Sequence, residues 1–99
     1  MFSKLKNIKE LRDQAKKMQS RFSTITAEAD AAWGKVKATV NGNQEVMAIT
    51  IAPELMTPAE KEKVESAVKE AVNSALKKVQ REVAMDMQRT GDFNLPGLG

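Results

Sequence analysis

The chain has 99 residues, a formal net charge of +3 at pH 7, and neither cysteine nor histidine. That length fits one domain, and the absence of cysteine excludes a disulfide scaffold and a thiolate metal site. Without histidine, the chain lacks the commonest general acid–base group and the commonest metal ligand. We therefore expect no enzymatic activity, no cofactor and no bound metal.

The basic residues are concentrated at the start of the chain. Residues 1–22 carry seven Lys and Arg against two acidic residues, whereas residues 23–57 carry two against four. A helix with such an excess of positive charge suits a polyanion, either nucleic acid or an anionic membrane surface. No run of about 18 apolar residues is present, so we predict no transmembrane helix.

Residues 2–22 are predicted to form the first helix, because their apolar residues recur every three or four positions. This spacing is close to the repeat of about 3.5 residues in a coiled-coil seam. We expect the row to be buried. Its members are Leu5, Ile8, Leu11, Ala15, Met18 and Phe22.

The next segment fits two kinds of structure. Ile25 and Ala29 continue the helical row, whereas Ile25, Ala27 and Ala29 also alternate with polar residues as a strand would. We favour a strand at about 24–29, because a two-stranded hairpin alone is only marginally stable and a third strand would complete the sheet.

Residues 30–33 are then predicted as a loop that Gly34 closes. Trp33 is the only tryptophan of the chain. We expect it to cover the sheet edge or to pack on a helix, with stacking on a ligand as the less favoured alternative.

Two strands are predicted at 35–41 and 44–52, joined at Asn41-Gly42. Asn-Gly is a strong hairpin signal, because a tight primed turn needs positive φ, which these residues adopt at little cost. Met47, Ile49 and Ile51 recur at every second position, which predicts a strand with one buried face. Pro53 cannot donate a hydrogen bond to the sheet and ends the second strand.

The second helix is predicted at 58–89. The stretch Thr57-Pro58-Ala59-Glu60 resembles a capping box, with Thr as N-cap, Pro at the first helical position and Glu at the third. Apolar residues continue along one side of the helix as far as Met87. Thr90-Gly91 ends the helix, and residues 91–99 are expected to form a flexible tail.

A helix of that length would be about 48 Å long, whereas a compact domain of about 100 residues has a radius of gyration of about 13 Å. The helix must therefore extend beyond its own sheet and expose part of its apolar side. A second copy of the chain is the simplest cover, which predicts a two-fold homodimer. The alternative is a helical hairpin in which the first helix alone covers the second.

The ordered set of motifs resembles the YbaB/EbfC family of bacterial nucleoid-associated proteins. The resemblance rests on Gly34-x-Val36-x-Ala38-x-Val40-Asn41-Gly42, on Val46-x-x-Ile49-x-Ile51-x-Pro53-Glu54-Leu55, on Ala71-Val72-Asn73-Ser74-Ala75 and on Asn94-Leu95-Pro96-Gly97. It covers essentially the whole chain. Asp30-Ala31-Ala32-Trp33 departs from the glycine-rich loop expected there.

The resemblance implies an α+β fold in the order α-β-β-β-α, with a small antiparallel sheet, two long helices and an intertwined homodimer. It further implies a cytoplasmic, nucleoid-located protein that binds double-stranded DNA with little sequence specificity and organises the chromosome or modulates transcription. No membrane and no small-molecule substrate are implied. The candidate DNA contacts are the basic residues of the first helix and of the later part of the second: Lys6, Lys9, Arg12, Lys16, Lys17, Arg21, Lys77, Lys78 and Arg81.

Two other functions compete with DNA binding. Some plastid relatives are linked to protein targeting, so a protein-interaction scaffold or targeting adaptor without direct DNA binding is the main alternative. An enzyme would need its carboxylates to act in pairs, and Glu28 with Asp30 and Glu82 with Asp86 are near in sequence. Because no nucleophile, phosphate-binding loop or metal-ligand cluster accompanies them, we interpret these acids as solvated surface residues.

Overall fold

A computed structural model describes residues 2–91, and the side chains of residues 7–91. Along the chain, one helix precedes and one helix follows the three strands of an antiparallel sheet. This confirms the predicted α+β class and the α-β-β-β-α order. The predicted tail lies outside the described residues from position 92 onward. The elements are α1 Phe2–Ser23, β1 Thr26–Ala31, β2 Val36–Asn41, β3 Val46–Ile51 and α2 Lys61–Thr90, with short 3₁₀ turns at Pro53–Leu55 and Pro58–Glu60 before α2.

The sheet has the order β1-β2-β3, so that β1 and β3 are its edges. A strand does follow α1, but it begins only at Thr26. Thr24 is held at the helix end, because its backbone N–H and its hydroxyl both donate to the carbonyl of Arg21, at 3.2 and 2.7 Å. The loop predicted at residues 30–33 is wrong in its first half, since Asp30 and Ala31 continue β1 and pair with β2.

The core lies between α2 and the strands β1 and β2. Small side chains dominate both sides of this contact, which lets the helix approach the sheet closely. By contrast, α2 barely reaches β3. The buried apolar residues are Ala67, Ala71, Ala75 and Val79 of α2, Ala29, Ala31, Val36, Ala38 and Val40 of the strands, and Leu55.

The described part of α1 lies away from that core. Ile8 is 50% exposed and Leu11 is 64% exposed, and only the last two turns of the helix have half-buried side chains. The expected burial of this apolar row is therefore wrong for a single chain, and so is the alternative in which α1 covers α2. The molecule accordingly measures 63 × 27 × 18 Å, with a radius of gyration of 18.5 Å.

We refer to α1 as the arm, and to α2 together with the three strands as the body. The side chain of Leu5, which belongs to the predicted row, lies outside the described ones. The arm joins the body through Thr24 and Ile25 and through contacts of its last turns.

The start of α2 differs from the capping-box prediction. Pro58 to Glu60 form a 3₁₀ turn, the α-helix begins at Lys61, and the side chain of Thr57 makes no capping hydrogen bond. The end agrees better, because Gly91 adopts φ 80° and its N–H donates to the carbonyl of Gln88 at 3.4 Å. A glycine in the left-handed region is a common end of a helix.

The β2–β3 connection is not the predicted two-residue turn. Residues 42–44 form the loop between the hydrogen-bonded pair Asn41 and Glu45, and Gln44 rather than Asn41 or Gly42 has positive φ, at 63°. The N–H of Asn41 donates to the carbonyl of Glu45 at 3.0 Å, and the N–H of Gln44 donates to the carbonyl of Asn41 at 2.9 Å. These hydrogen bonds describe a β-turn that is followed by a left-handed residue.

The buried side chain of Asn41, only 2% exposed, explains that geometry. Its Oδ1 accepts hydrogen bonds from the backbone N–H groups of Asn43 and Glu45, at 3.0 and 3.1 Å. Its Nδ2 donates to the carboxylate of Glu45 at 2.9 Å. An asparagine that bonds the backbone ahead of it favours this wider turn over the two-residue one.

The β1–β2 connection carries unusual backbone angles. Ala32, Trp33 and Gly34 have φ of 54°, 60° and 82°. Only the glycine adopts such an angle without steric cost. Trp33 is 99% exposed, so the expectation that it packs on the sheet edge or on a helix is wrong.

Candidate nucleic-acid interface

The exposed basic face of the arm is formed by Lys9, Arg12 and Lys16. Successive members are three and four positions apart, a spacing that places them on one side of a helix. All three side chains are exposed, and none forms an ion pair with another described residue. The face is therefore a row of cations, about 10 Å long, that the fold leaves unused.

Two other predicted contacts of the arm are Lys17 and Lys6. Lys17 is exposed on the next side of the helix. Lys6 belongs to the helix, but its side chain is not among the described ones.

Arg21 has a different environment from the other arm residues. Its Nε donates to Oδ2 of Asp86 at 2.8 Å, and a terminal nitrogen approaches the same oxygen at 2.7 Å. The guanidinium also donates to the hydroxyl of Thr90. Because this predicted DNA contact is engaged with α2, it joins the arm to the body.

The basic residues of α2 lie near acidic ones. Lys77, Lys78 and Arg81 are exposed, but Nζ of Lys78 donates to the carbonyl of Glu28 on β1 at 3.0 Å. Around them an open recess of about 540 Å³ separates β1 from the second half of α2. Its lining residues are Thr26, Ala27, Glu28, Lys78, Arg81, Glu82 and Met85. With two cations and two carboxylates in this lining, the recess is less attractive to a polyanion than the arm face.

Asp86 is well placed for an ion pair and poorly placed for acid–base work. Its side chain is 13% exposed, with Arg21 on Oδ2 and Arg89 on Oδ1. The hydrogen bond from Arg21, together with the charges of both arginines, holds the pKa of Asp86 below its usual value, although burial opposes this effect. A carboxylate held in the ionised form is a structural partner, not a proton donor.

Among the described residues, no group of three or more acidic side chains converges to hold a metal ion. Over the same part of the chain, neither helix is long and apolar enough to cross a membrane.

The edge strand β3 and the arm also expose apolar side chains. Val46, Met47 and Ile49 are exposed on β3, next to a free sheet edge. A bulge at this strand leaves Met47 as the extra residue, because Thr39 pairs with Ala48 while Val40 pairs with Val46. Sequence reasoning predicted the apolar alternation but did not predict that α2 would leave this strand uncovered.

Sequence reasoning also missed the residues that join the arm to the body. Asp86, Gly42 and Asn43 contact residues of α1, and Asp86 does so across 65 positions of sequence. No local pattern marks a contact of that separation.

Comparison with known proteins gives concordant results. The model of the YbaB/EbfC DNA-binding family matches residues 1–92. Nucleoid-associated protein TTE0040 of Caldanaerobacter subterraneus is 37% identical over 95 residues, which cover 95% of this chain and 86% of the relative. A nucleoid-associated protein of Syntrophobacter fumaroxidans is 34% identical over 98 residues, which cover 98% and 89% of the two chains.

The fold is also found among solved structures. The crystal structure of uncharacterized protein HP0035 from Helicobacter pylori matches with a TM-score of 0.60 at 17% identity. The match covers 88% of this chain and 95% of that one, and it supports the architecture alone.

Proposed function

This chain belongs to the YbaB/EbfC DNA-binding family, and on that basis we propose that it is a nucleoid-associated protein that binds double-stranded DNA with little sequence preference. The supporting observation is the exposed row of Lys9, Arg12 and Lys16 on an arm that projects from the body. Cations that the fold does not use for its own stability are free to neutralise phosphates and release counterions. The proposed location is the nucleoid, within the cytoplasm.

Low sequence specificity follows from the chemistry of this face. Lysine contacts phosphates as a point charge, and phosphate contacts carry no direct sequence information. Specific reading of the major groove relies on bidentate contacts from Arg, Asn or Gln to base edges. The face offers one arginine among three cations, so its contacts would be made mainly to the backbone of the duplex.

A gel-shift assay with several unrelated duplexes tests the proposal. Similar affinities that fall together as salt is raised are expected. Strong discrimination among the duplexes would overturn the proposed lack of preference, and no shift at low ionic strength would overturn DNA binding itself.

We further propose that the functional form is a homodimer. Ile8 and Leu11 on the arm and Val46, Met47 and Ile49 on β3 are apolar and exposed in a single chain. Free strand edges and extended apolar surfaces are features that soluble proteins usually cover. A second copy would cover them, and would also double the number of basic arms on one DNA-binding unit.

The mass in solution tests the dimer, with twice the chain mass of 10.9 kDa expected. Leu11→Glu places a charge in the exposed apolar row and is expected to lower the mass toward that of one chain. Ser20→Glu is the matched control, because nine positions correspond to about two and a half turns and so to the opposite face. Equal masses for the two variants would contradict an interface on the apolar row.

The protein-interaction scaffold remains the second candidate, and Trp33 is the observation that favours it. Trp33 is fully exposed and has positive φ, and strained residues cluster at functional sites, where exposed tryptophans often contact protein partners. Replacing Lys9, Arg12 and Lys16 by Glu separates the two functions. Loss of DNA binding in gel shifts is expected if DNA is the partner. A scaffold would still retain its protein partner in a pull-down assay after these changes.

A further inference from the structure

The end of the arm is held by the β2–β3 loop. The N–H of Gly42 donates to the carbonyls of Phe22 and Ile25, at 3.0 and 2.8 Å. Nδ2 of Asn43 donates to the carbonyl of Gln19 at 2.9 Å. Because the last carbonyls of a helix lack partners within the helix, this loop caps α1 and attaches it to the sheet.

Glycine is required at position 42 for a steric reason rather than for its backbone angle. A Cβ atom there would lie 2.7 Å from the carbonyl oxygen of Phe22, 3.0 Å from its Cβ and 3.0 Å from Cγ2 of Val83. The backbone of the loop therefore fits directly between the end of α1 and the side of α2. Any larger residue must push the arm away.

The Arg21–Asp86 ion pair holds the arm on its other side. Asp86 accepts from Arg21 through Oδ2 and from Arg89 through Oδ1, the latter at 2.7 Å. A carboxylate with both oxygens engaged by guanidinium groups has little freedom to reorient. Thr90 adds a contact to Arg21, and its own hydroxyl donates to the carbonyl of Asp86 at 2.9 Å.

These two attachments control a long lever. From Arg21 to Lys9 the helix extends about 18 Å, and the side chains between Asn7 and Lys17 are all exposed in the chain. A rotation of about 20° at the joint would therefore move Lys9 by about 6 Å, which is larger than the reach of a hydrogen bond. Small changes at the joint are amplified at the basic face.

We propose that Arg21, Asp86 and Gly42 are positioning residues for DNA binding, which fix the direction of the arm so that its basic face is presented to the duplex. This inference rests on the proposed function. It assigns an acidic residue, Asp86, a favourable effect on the binding of a polyanion.

That assignment predicts that removing a negative charge lowers the affinity for DNA, which is opposite to the simple electrostatic expectation. Asp86→Asn removes a negative charge, so simple electrostatics predicts tighter binding to DNA. The positioning role predicts weaker binding, by about tenfold when ordering the loosened arm on the duplex costs about as much free energy as one charge-assisted hydrogen bond. Glu82→Gln is the matched control, since Glu82 is exposed and lies one turn earlier on the same side of α2. Its affinity for DNA is expected to be equal to or higher than that of the wild type.

A distance measured between α1 and α2 reports the orientation of the arm in the absence of DNA. The chain has no cysteine, so Asp13→Cys on α1 and Glu65→Cys on α2 provide two unique sites for spin labels. Labelled protein is diluted with unlabelled protein, so that only distances within one chain are measured. A narrow distribution is expected for this pair and for the pair with Glu82→Gln, and a broader or shifted one with Asp86→Asn.

Gly42→Ala supplies a second disruption that changes no charge. It is expected to shift the distance distribution and to weaken DNA binding, with the helix content by circular dichroism preserved. Equal affinities and equal distributions for Asp86→Asn and Glu82→Gln would overturn the inference alone. A wild-type protein with a narrow distribution that binds no duplex would overturn the proposed function, and with it any role of the joint in DNA binding.

Discussion

The arm and the body of this chain use their side chains in opposite ways. In the body, Ala71, Ala75 and Val79 of α2 are buried against the sheet. Along most of the described arm, both apolar and basic side chains are exposed, and contacts to the body are confined to its end. The body is therefore stabilised by contacts within one chain, whereas most side chains of the arm can be contacted only by other molecules.

The comparison shows that the arm has more side chains available for binding than the body has. The side chains of α2 that face the sheet are restricted in size, because this Ala-rich contact has no spare volume. The arm contributes little to that core, so its basic face is free to serve binding. The joint formed by Gly42, Arg21 and Asp86 is where the two regions meet, and it belongs to both.

The sharpest way to separate the regions is to reverse the charge of Lys9, Arg12 and Lys16 with Glu. Affinity for DNA is expected to fall by about two to three orders of magnitude, because phosphate contacts dominate nonspecific binding. The melting temperature should change little, since exposed positions rarely affect folding. Gel shifts and thermal unfolding check both parts.

Reversing Lys61, Lys63 and Lys69 of α2 is the matched control. These lysines are also exposed, and the change in net charge is identical. If this control lowers affinity as much as the arm variant does, binding depends on net charge and not on the arm.

Overpacking the core of the body should lower its stability, whereas the arm variants lower the affinity for DNA. Ala75 is fully buried against the sheet, so Ala75→Leu is expected to lower the free energy of unfolding by about 1–3 kcal/mol. Ala84→Leu, at an exposed position of the same helix, should change it by less than about 0.5 kcal/mol. Urea unfolding measures both, and similar losses for the two variants would contradict the assigned core.

Acid should loosen the joint before it unfolds the body. The pKa of Asp86 is lowered in the folded chain by Arg21, with Arg89 assisting. The resulting stabilisation is present above the unfolded-state pKa of about 3.9, and is lost as pH falls through the lower folded-state pKa. These two arginines are the charged groups in direct contact with the carboxylate in the described chain.

The label pair on α1 and α2 follows this loosening directly. As pH falls below the unfolded-state value and through the lower folded-state pKa of Asp86, the distance distribution is expected to broaden, whereas Asp86→Asn should show a broad distribution that does not depend on pH in this range. A wild-type distribution that stays narrow down to the pH of global unfolding would contradict the role of the ion pair.

The smallest effect is expected at the β1–β2 turn. Ala32 adopts φ 54°, so Ala32→Gly removes a steric cost while increasing the freedom of the unfolded chain. A net gain of up to about 1 kcal/mol in the free energy of unfolding is expected. Ala38→Gly, within the central strand, should instead destabilise. Loss of stability in Ala32→Gly would mean that the turn is not strained.

Local signals predicted the local parts of this fold. Alternation predicted the strands, and Gly91 predicted the end of α2. Asn41-Gly42 correctly indicated a hairpin connection, but the buried side chain of Asn41 selected a wider loop and Gly42 serves the contact with α1. A sequence pattern identifies a glycine without saying whether φ or close approach requires it.

The candidate site was predictable in part for the same reason. The exposure of Lys9, Arg12 and Lys16 on one side of α1 follows from helical spacing, whereas their contact with DNA came from the family resemblance and stays a prediction. The engagement of Arg21 by Asp86 depends on how α1 meets α2, and no local rule contains that information. The positive φ of Ala32 and Trp33 likewise has no signal in their own side chains.

The dependence of DNA affinity on salt tests the central claim most directly. If three cations of each arm contact phosphates in a dimer, log K should fall with log salt concentration at a slope of about −5, which corresponds to about six phosphates. The arm variant with three Glu residues should reduce that slope to near zero. A wild-type affinity that does not change with salt, or equal slopes for the two proteins, would contradict the account.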